Sequence, residues 1–307
     1  MSTATLTRTA PSDVLAIADL AVTALRAEAE LTPKPGLVDG RGSGAHADMT
    51  VETLRDSAEA LRTAFAQCAS AAMELELGTE LRAEIGVIGR VGEQHMLAAT
   101  GGVNTHRGAL WALGLLSAGA ARGRGAGEAI AFAARLASVP DPALAACPPE
   151  QRSHGALVRH RFGVRGAAGE AQAGFPHVTA YALPTLLAAR LDGADEDTAR
   201  LDALLSLIAH LDDTCVLHRG GRSALRSMQA GAAAVLRAGG CRTAEGQRQF
   251  HSLDALCAQR RLSPGGSGDL LSATLFLDAL ARPDTLPRRF ARPDTLPDER
   301  TSAPCKP

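Results

Sequence analysis

Apolar residues recur along this chain in steps of three and four. After Met49, the residues Leu54, Ala58, Leu61, Phe65, Cys68, Ala72 and Leu75 make one continuous stripe, the period of an amphipathic helix. Thr50 stands where an N-cap belongs. The segment from Leu201 repeats the pattern with Leu204, Leu205, Ile208 and Leu211. Similar stripes run through 14–31, 108–120, 127–136, 181–191, 223–236 and 270–280. Alternating stretches rich in β-branched residues are nearly absent. The pattern predicts an all-α protein of about ten helices.

The richest internal concentration of proline is 138–152 (SVPDPALAACPPEQR). Candidate site segments lie on both sides of it, which favours one helical catalytic domain over 12–280 with a long surface loop. Residues 1–11 read as a flexible N-terminus. In 281–307 the helical pattern collapses and ARPDTLP occurs twice, so this tail is expected to be disordered and outside catalysis.

Between the stripes lie five glycine-rich polar segments: TPKPGLVDGRGSGAHADM from Thr32, GGVNTHRG from Gly101, GAAGEAQAGFP from Gly166, DDTCVLHRGG from Asp212 and SPGGSGDLL from Ser263. Glycine lets backbone approach a ligand closely, and each segment sets it beside charged or imidazole side chains. Helix packing alone does not call for five such breaks. Together they read as the walls of one polar, anion-binding active site.

Composition narrows the class. The chain has 307 residues, 46% of them hydrophobic and 21% charged, as in a globular protein with a sizeable core. A formal net charge of -1 and 3% aromatics give no basic field or stacking platform for nucleic acid. No uncharged apolar run reaches membrane-span length. Six scattered cysteines without a CxxC pair, and no signal peptide, predict reduced thiols in the cytoplasm.

SPGGSGDLL reads as a helix start, with Ser263 as N-cap and Pro264 in the first helical position. Free N–H groups at Gly265 and Gly266 would favour phosphate oxygens, while tight packing through the glycines is the plainer alternative. The Walker pattern is absent. In the Thr32 segment, two prolines stiffen the backbone around Lys34, which suits a lysine that meets a phosphate. Asp39, His46 and Asp48 either ligate a metal or form a capping and turn network. Zinc spacings are missing, and Mg²⁺ bridged by carboxylates and substrate phosphates fits better. Asn104 and Thr105 are ordinary caps, whereas His106 and Arg107 exceed what a cap needs. DDTCVLHRGG, read as the end of a helix, offers Asp212, Asp213, His218, Arg219, Gly220 and Gly221. Glu170 is an isolated carboxylate among small residues, where close packing is as fair a reading as catalysis.

At these residues the chain resembles the triphosphoribosyl-dephospho-CoA synthases, the CitG/MdcB group, from about Val14 to Leu280. The strings that carry the resemblance are PKPGLVD with GAHADM, GVNTHRG, GEAQAGFP, DDTCVLHRGG and SPGGSGDLL, in the family's order. GLVDGRGSGAHADM and DDTCVLHRGG resemble the malonate-decarboxylase branch more than the citrate-lyase branch. Three positions depart from the expected pattern: Arg107 for Lys, Ala168 for Arg and Gly268 for Ala.

The resemblance implies a transferase that joins ATP to 3′-dephospho-CoA and releases adenine. The product is a prosthetic-group precursor, passed by a separate transferase to an acyl-carrier subunit. Such a glycosyl transfer has an oxocarbenium-like transition state and needs a carboxylate near the developing charge and another to take a hydroxyl proton. The implied roles are general-base or metal work for Asp39, Asp48, Asp213 and Asp269, with Asp213 and Asp269 leading, His46 a further Mg²⁺ ligand, and Glu170 behind them. His106 or His218 would face the departing adenine. Lys34, Asn104, Thr105, Arg107, Arg219, Gly220, Gly221, Ser263, Gly265 and Gly266 would bind substrate or phosphate. A homodimer is open. The competing reading is an Mg²⁺-dependent all-α hydrolase of N-glycosidic or phosphate bonds. A helical scaffold protein would need fewer charged loops.

Overall fold

The computed structural model describes residues 11–123, 125–145 and 154–282. The expected flexible N-terminus and repeated tail fall outside these residues, save their innermost positions. Within them the protein is all-α, with no strand beyond an isolated bridge between Asp39 and Gly42. The helices are α1 (Pro11–Glu30), α2 (Val51–Ala60), α3 (Arg62–Glu74), α4 (Thr79–Ala99), α5 (Arg107–Arg122), α6 (Ala126–Ser138), α7 (Pro142–Ala145), α8 (His154–Phe162), α9 (Gly166–Gln172), α10 (Leu183–Leu191), α11 (Glu196–His210), α12 (Thr214–Arg237), α13 (Ala244–Arg260) and α14 (Gly265–Ala281). A π-helical turn, Val178–Ala182, leads into α10. Among the described residues no helix is long and apolar enough to cross a membrane.

The long stripe after Met49 is two helices, α2 and α3, divided at Leu61. Thr50 caps α2 as expected, its hydroxyl accepting from Thr53 N while the Thr53 side chain answers the Thr50 backbone. α5 and α14 are buried along nearly their whole length, as a helix that is apolar on every side must be. They pack on each other and on α1, and α5 also meets α3 and α6. The Thr32 segment is anchored by a small cluster of its own, Ala29, Val38, Met49 and Leu54. This loop therefore packs against the end of α1 and the start of α2.

Two expected boundaries move. DDTCVLHRGG does not end a helix: α11 stops at His210, and Asp213 is the N-cap of α12. Gly221, at φ 66 and ψ -169, then kinks α12 in a conformation that only glycine adopts readily. Ser263 is not the N-cap of α14. That position is Pro264, and no side chain of its own caps the helix.

Candidate active site

The site forms where the N-termini of α5, α12 and α14 meet. Each helix start exposes N–H groups without an intrahelical partner, and two aspartates serve all three. Asp213 Oδ1 accepts from Cys215 N at 2.8 Å and Val216 N at 3.4 Å in its own helix. Its Oδ2 accepts from Ser267 N at 2.8 Å and Ser267 Oγ at 3.0 Å, in the first turn of α14. Asp269, from that same stretch of α14, reaches the start of α5 and accepts from Ala109 N at 2.9 Å. A Cβ on Gly108 would stand 2.0 Å from Asp269 Oδ2, so only glycine there allows the approach.

Their electrostatics separate the two carboxylates. Desolvation raises both above the ordinary range. At Asp213 four hydrogen bonds oppose that rise. At Asp269 the nearby charges of Glu28 and Asp213 add to it, and only the bond from Ala109 counters it, so its pKa stands well above that of a free carboxyl group. Asp269 also keeps some contact with solvent. It has the properties of a carboxylate that takes a proton readily.

Glu28 completes this acidic group and lies on the buried face of α1. Lys34 is fully buried, and its ammonium donates to the Glu28 carboxylate at 2.8 Å, to the Glu28 carbonyl and to the Ala29 carbonyl at 3.4 Å. An ammonium has three protons, so Lys34 closes the C-terminal end of α1 and keeps no donor for a phosphate. Asp39 accepts from Lys34 N at 2.7 Å and from the backbone and guanidinium of Arg41, the turn network rather than an open ligand. Asp48 is exposed. Among the described residues no three His, Cys, Asp or Glu side chains are gathered to hold a metal. Asp39, His46, Asp48, Asp213 and Asp269 thus do not form one ligand set.

His106 is buried at the N-cap of α5. Thr105 Oγ1 donates to Ser57 Oγ at 2.7 Å, and Ser57 Oγ lies 2.7 Å from His106 Nδ1. Having accepted from Thr105, Ser57 directs its own proton to Nδ1. That assignment places the ring proton on Nε2, which is buried without a partner. Burial lowers the His106 pKa to about 4, against an opposing pull from Glu28. A neutral imidazole with an unused N–H is thus held beside Glu28 and Lys34. A buried donor without a partner is costly, and a ligand acceptor would satisfy it.

The other predicted residues are spread around this centre. Arg219 Nη2 donates to His46 Nδ1 at 3.3 Å, so His46 Nε2 donates to Ser263 Oγ at 2.8 Å. This stitches the Thr32 segment to α12 and α14. Gly220 packs against Ala224 and Leu262. Gly266 has Asp213 above it, where a Cβ would come within 3.2 Å, and Gly265 has Cys215. Arg107 turns away to an ion pair with Glu93 of α4. Asn104 and His218 are exposed. Glu170 is bound to His177, accepting from its backbone N at 2.9 Å and its Nδ1 at 2.7 Å. His177 in turn stacks on Tyr181, which lies on His210 with ring centroids 3.8 Å apart.

Sequence reasoning missed Glu28 and Ser57. Both carried a usable signal, a polar residue in the middle of an apolar stripe: Glu28 follows Ala21 and Leu25, and Ser57 lies between Leu54 and Leu61.

An all-α enzyme with two acidic side chains and a neutral histidine at converging helix starts is the class that fold and site define. A family model described as "ATP:dephospho-CoA triphosphoribosyl transferase", CitG, matches residues 15–287. The chain belongs to the CitG family. It is 53% identical over 287 residues, 92% of this chain and 98% of its relative, to the "Probable 2-(5''-triphosphoribosyl)-3'-dephosphocoenzyme-A synthase" of Stutzerimonas stutzeri. A protein of the same name from Azotobacter vinelandii is 54% identical over 274 residues, 88% of this chain and 93% of that one. No solved structure matches. These relatives lend no support to the hydrolase alternative.

Proposed function

We propose that the protein transfers the triphosphoribosyl group of ATP to the 2′-hydroxyl of 3′-dephospho-CoA with release of adenine, for the acyl-carrier subunit of malonate decarboxylase. The observation that carries the reading is the pairing at the start of α5 of a proton-avid carboxylate, Asp269, with a neutral imidazole whose Nε2–H is unused.

In this reading the bond from the ribose anomeric carbon to adenine breaks as the bond to the incoming 2′-oxygen forms. Asp269 takes the hydroxyl proton and passes it to solvent, and the departing adenine, hydrogen-bonded to His106, takes one proton from solvent, so none is gained or lost overall. The negative charge of Glu28 favours the oxocarbenium-like transition state. The helix starts of α5, α12 and α14 lend positive potential to the triphosphate. With no group of three protein ligands among the described residues, Glu28 and the triphosphate oxygens would together hold an Mg²⁺ ion, which would supply neutralisation of phosphate charge. Arg219 is the cation at this rim.

The malonate branch rests on the forms GLVDGRGSGAHADM and DDTCVLHRGG. The test incubates the purified protein with Mg-ATP and 3′-dephospho-CoA and follows free adenine and adduct mass together. Adenine with a triphosphoribosyl adduct supports the transfer, and adenine without adduct defeats it. Passing the adduct to acyl-carrier subunits of malonate decarboxylase and citrate lyase then decides the branch.

A further inference from the structure

Two recesses among the described residues differ in charge. The larger, of about 490 Å³, sets Arg26, Arg62 and Arg200 among Glu30, Glu59 and Asp197. Its arginines are already neutralised: Arg26 and Arg62 both pair with Glu59, and Arg200 with Glu196 at 2.9 Å. The smaller, of about 340 Å³, lies between α8 and α9 and is lined by Arg159, Val164, Arg165, Gly169, Gln172 and Ala173. Among the described residues its lining holds two guanidinium groups and no carboxylate.

Further cations stand next to it. Arg222 of α12 donates to the Phe162 carbonyl, and the guanidinium groups of Arg161 and Arg222 both lie over the Phe162 ring, 5.2 and 5.8 Å from its centroid. Arg159, Arg161, Arg165 and Arg222 make no ion pair among the described residues. Four like charges on one face repel each other, a cost that an anionic ligand removes. The backbone is shaped to seat two of them. Gly166, at φ 59, leaves room for the Arg159 stem, which a Cβ would meet at 2.7 Å, and Gly169 leaves room for Arg165, which a Cβ would meet at 2.5 Å.

This recess borders the active site. Gly166 lies beside Thr214, the residue after Asp213, and the Ala167 carbonyl accepts from Trp111 Nε1 of α5 at 3.3 Å. α9 thus packs on α5, and α8 on α12, two of the helices whose starts form the site. Lys34 is spent on Glu28 and Arg107 on Glu93, which leaves these arginines, together with Arg219 at the rim, as cations near the site for phosphate. Guanidinium forks bind phosphate oxygens in pairs.

We propose that the α8–α9 groove, through Arg159 and Arg165 with Arg222 at its edge, is a polyphosphate subsite that holds the phosphate chain of one of the two substrates. The inference rests on the transferase reading. Its test is the double variant Arg159→Gln/Arg165→Gln, with Arg237→Gln at the exposed far end of α12 as a charge control. Adenine release is measured with each substrate varied in turn. The expected result is a KM roughly tenfold or more higher for one substrate, kcat within about twofold, and partial rescue by Arg165→Lys. A rise confined to ATP assigns the groove to the triphosphate, and one confined to dephospho-CoA assigns it to the diphosphate. Unchanged KM values, or a fall in kcat alone, overturn the proposal. Should the wild-type protein release no adenine, the transferase reading fails separately. Calorimetry with inorganic triphosphate then decides the groove: binding lost in the double variant supports it, and binding unaltered overturns it.

Discussion

Asp213 and Asp269 were equal candidates as letters in a sequence, and their hydrogen bonds assign them different work. Asp213 spends both oxygens on four donors from two helices. Asp269 has one backbone donor and a strongly raised pKa. Asp269→Asn is therefore expected to lower adenine release by about a hundredfold or more, with the helical circular-dichroism spectrum unchanged. Asp213→Asn is expected to lower stability by roughly 1–3 kcal/mol, because an amide cannot accept at both positions. Comparing turnover and melting of the two variants checks the division; the reverse assignment of losses would refute it. The sign for Asp269 follows from its raised pKa: the protonated form is favoured in the fold, so its stabilising contribution is present at low pH and lost as pH rises through the folded value. Asp269→Asn should accordingly melt higher than wild type at pH 8, and by less at pH 4. His106 runs the other way. Its pKa is lowered from 6.5 to about 4, so the unfolded chain takes up a proton first and stability falls as pH drops from 6.5 towards 4. The loss approaches roughly 3 kcal/mol at full protonation. Urea unfolding across that range should show this slope, and His106→Asn should flatten it.

At the scale of elements, the site depends on how closely α14 and α5 approach. Gly108→Ala would place a methyl 2.0 Å from Asp269 Oδ2, against a carboxylate fixed by its own helix. We expect a loss of about 1–3 kcal/mol in stability and a fall in adenine release at least as steep as that of Asp269→Asn. Gly268→Ala, by contrast, comes no closer than 3.1 Å to Glu28 Oε1 and 3.5 Å to Leu37 Cδ1, contacts that need a neighbour to give by only a few tenths of an ångström. Alanine there gains helix propensity, so stability should stay within about 1 kcal/mol of wild type. Thermal melts of the two alanine variants check both. The same scale explains what the sequence conveyed. α1, α5, α11 and α14 were legible because their apolar stripes are broad. α4 and α13 were not, because glycine occupies stripe positions: Gly86 and Gly92 face Asp141 and Ala64 in α4, and Gly246 lies against Gly240 in α13. A glycine that permits close packing carries no hydrophobic signal. The segments of the site were legible as glycine-rich polar breaks, yet Glu28 and Ser57 were hidden inside helices. The burial of Lys34 depends on a partner in α1 that local spacing around the lysine does not reveal.

For the whole molecule, the two recesses and the helix-start centre make different predictions about where substrate acts. The larger recess is balanced in charge, three arginines facing three carboxylates, and an anionic ligand entering it must displace existing ion pairs. The centre at α5, α12 and α14 combines helix-start potential with an unused imidazole donor, so a nucleotide that reaches that donor satisfies it without displacing an ion pair. Binding only to the folded state stabilises it by RT ln(1 + [L]/Kd), about 2.7 kcal/mol at a hundredfold excess over Kd. Mg-ATP at that excess should therefore raise the melting temperature. In hydrogen exchange it should slow amides in the first turns of α5, α12 and α14 together, because Asp213 and Asp269 tie those turns to one another. The first turn of α13, capped by Thr243 on its own, should be unaffected. Protection confined to α1, α2 and α11 around Arg26 and Arg200 would move the nucleotide to the larger recess and remove Asp269 from the reaction.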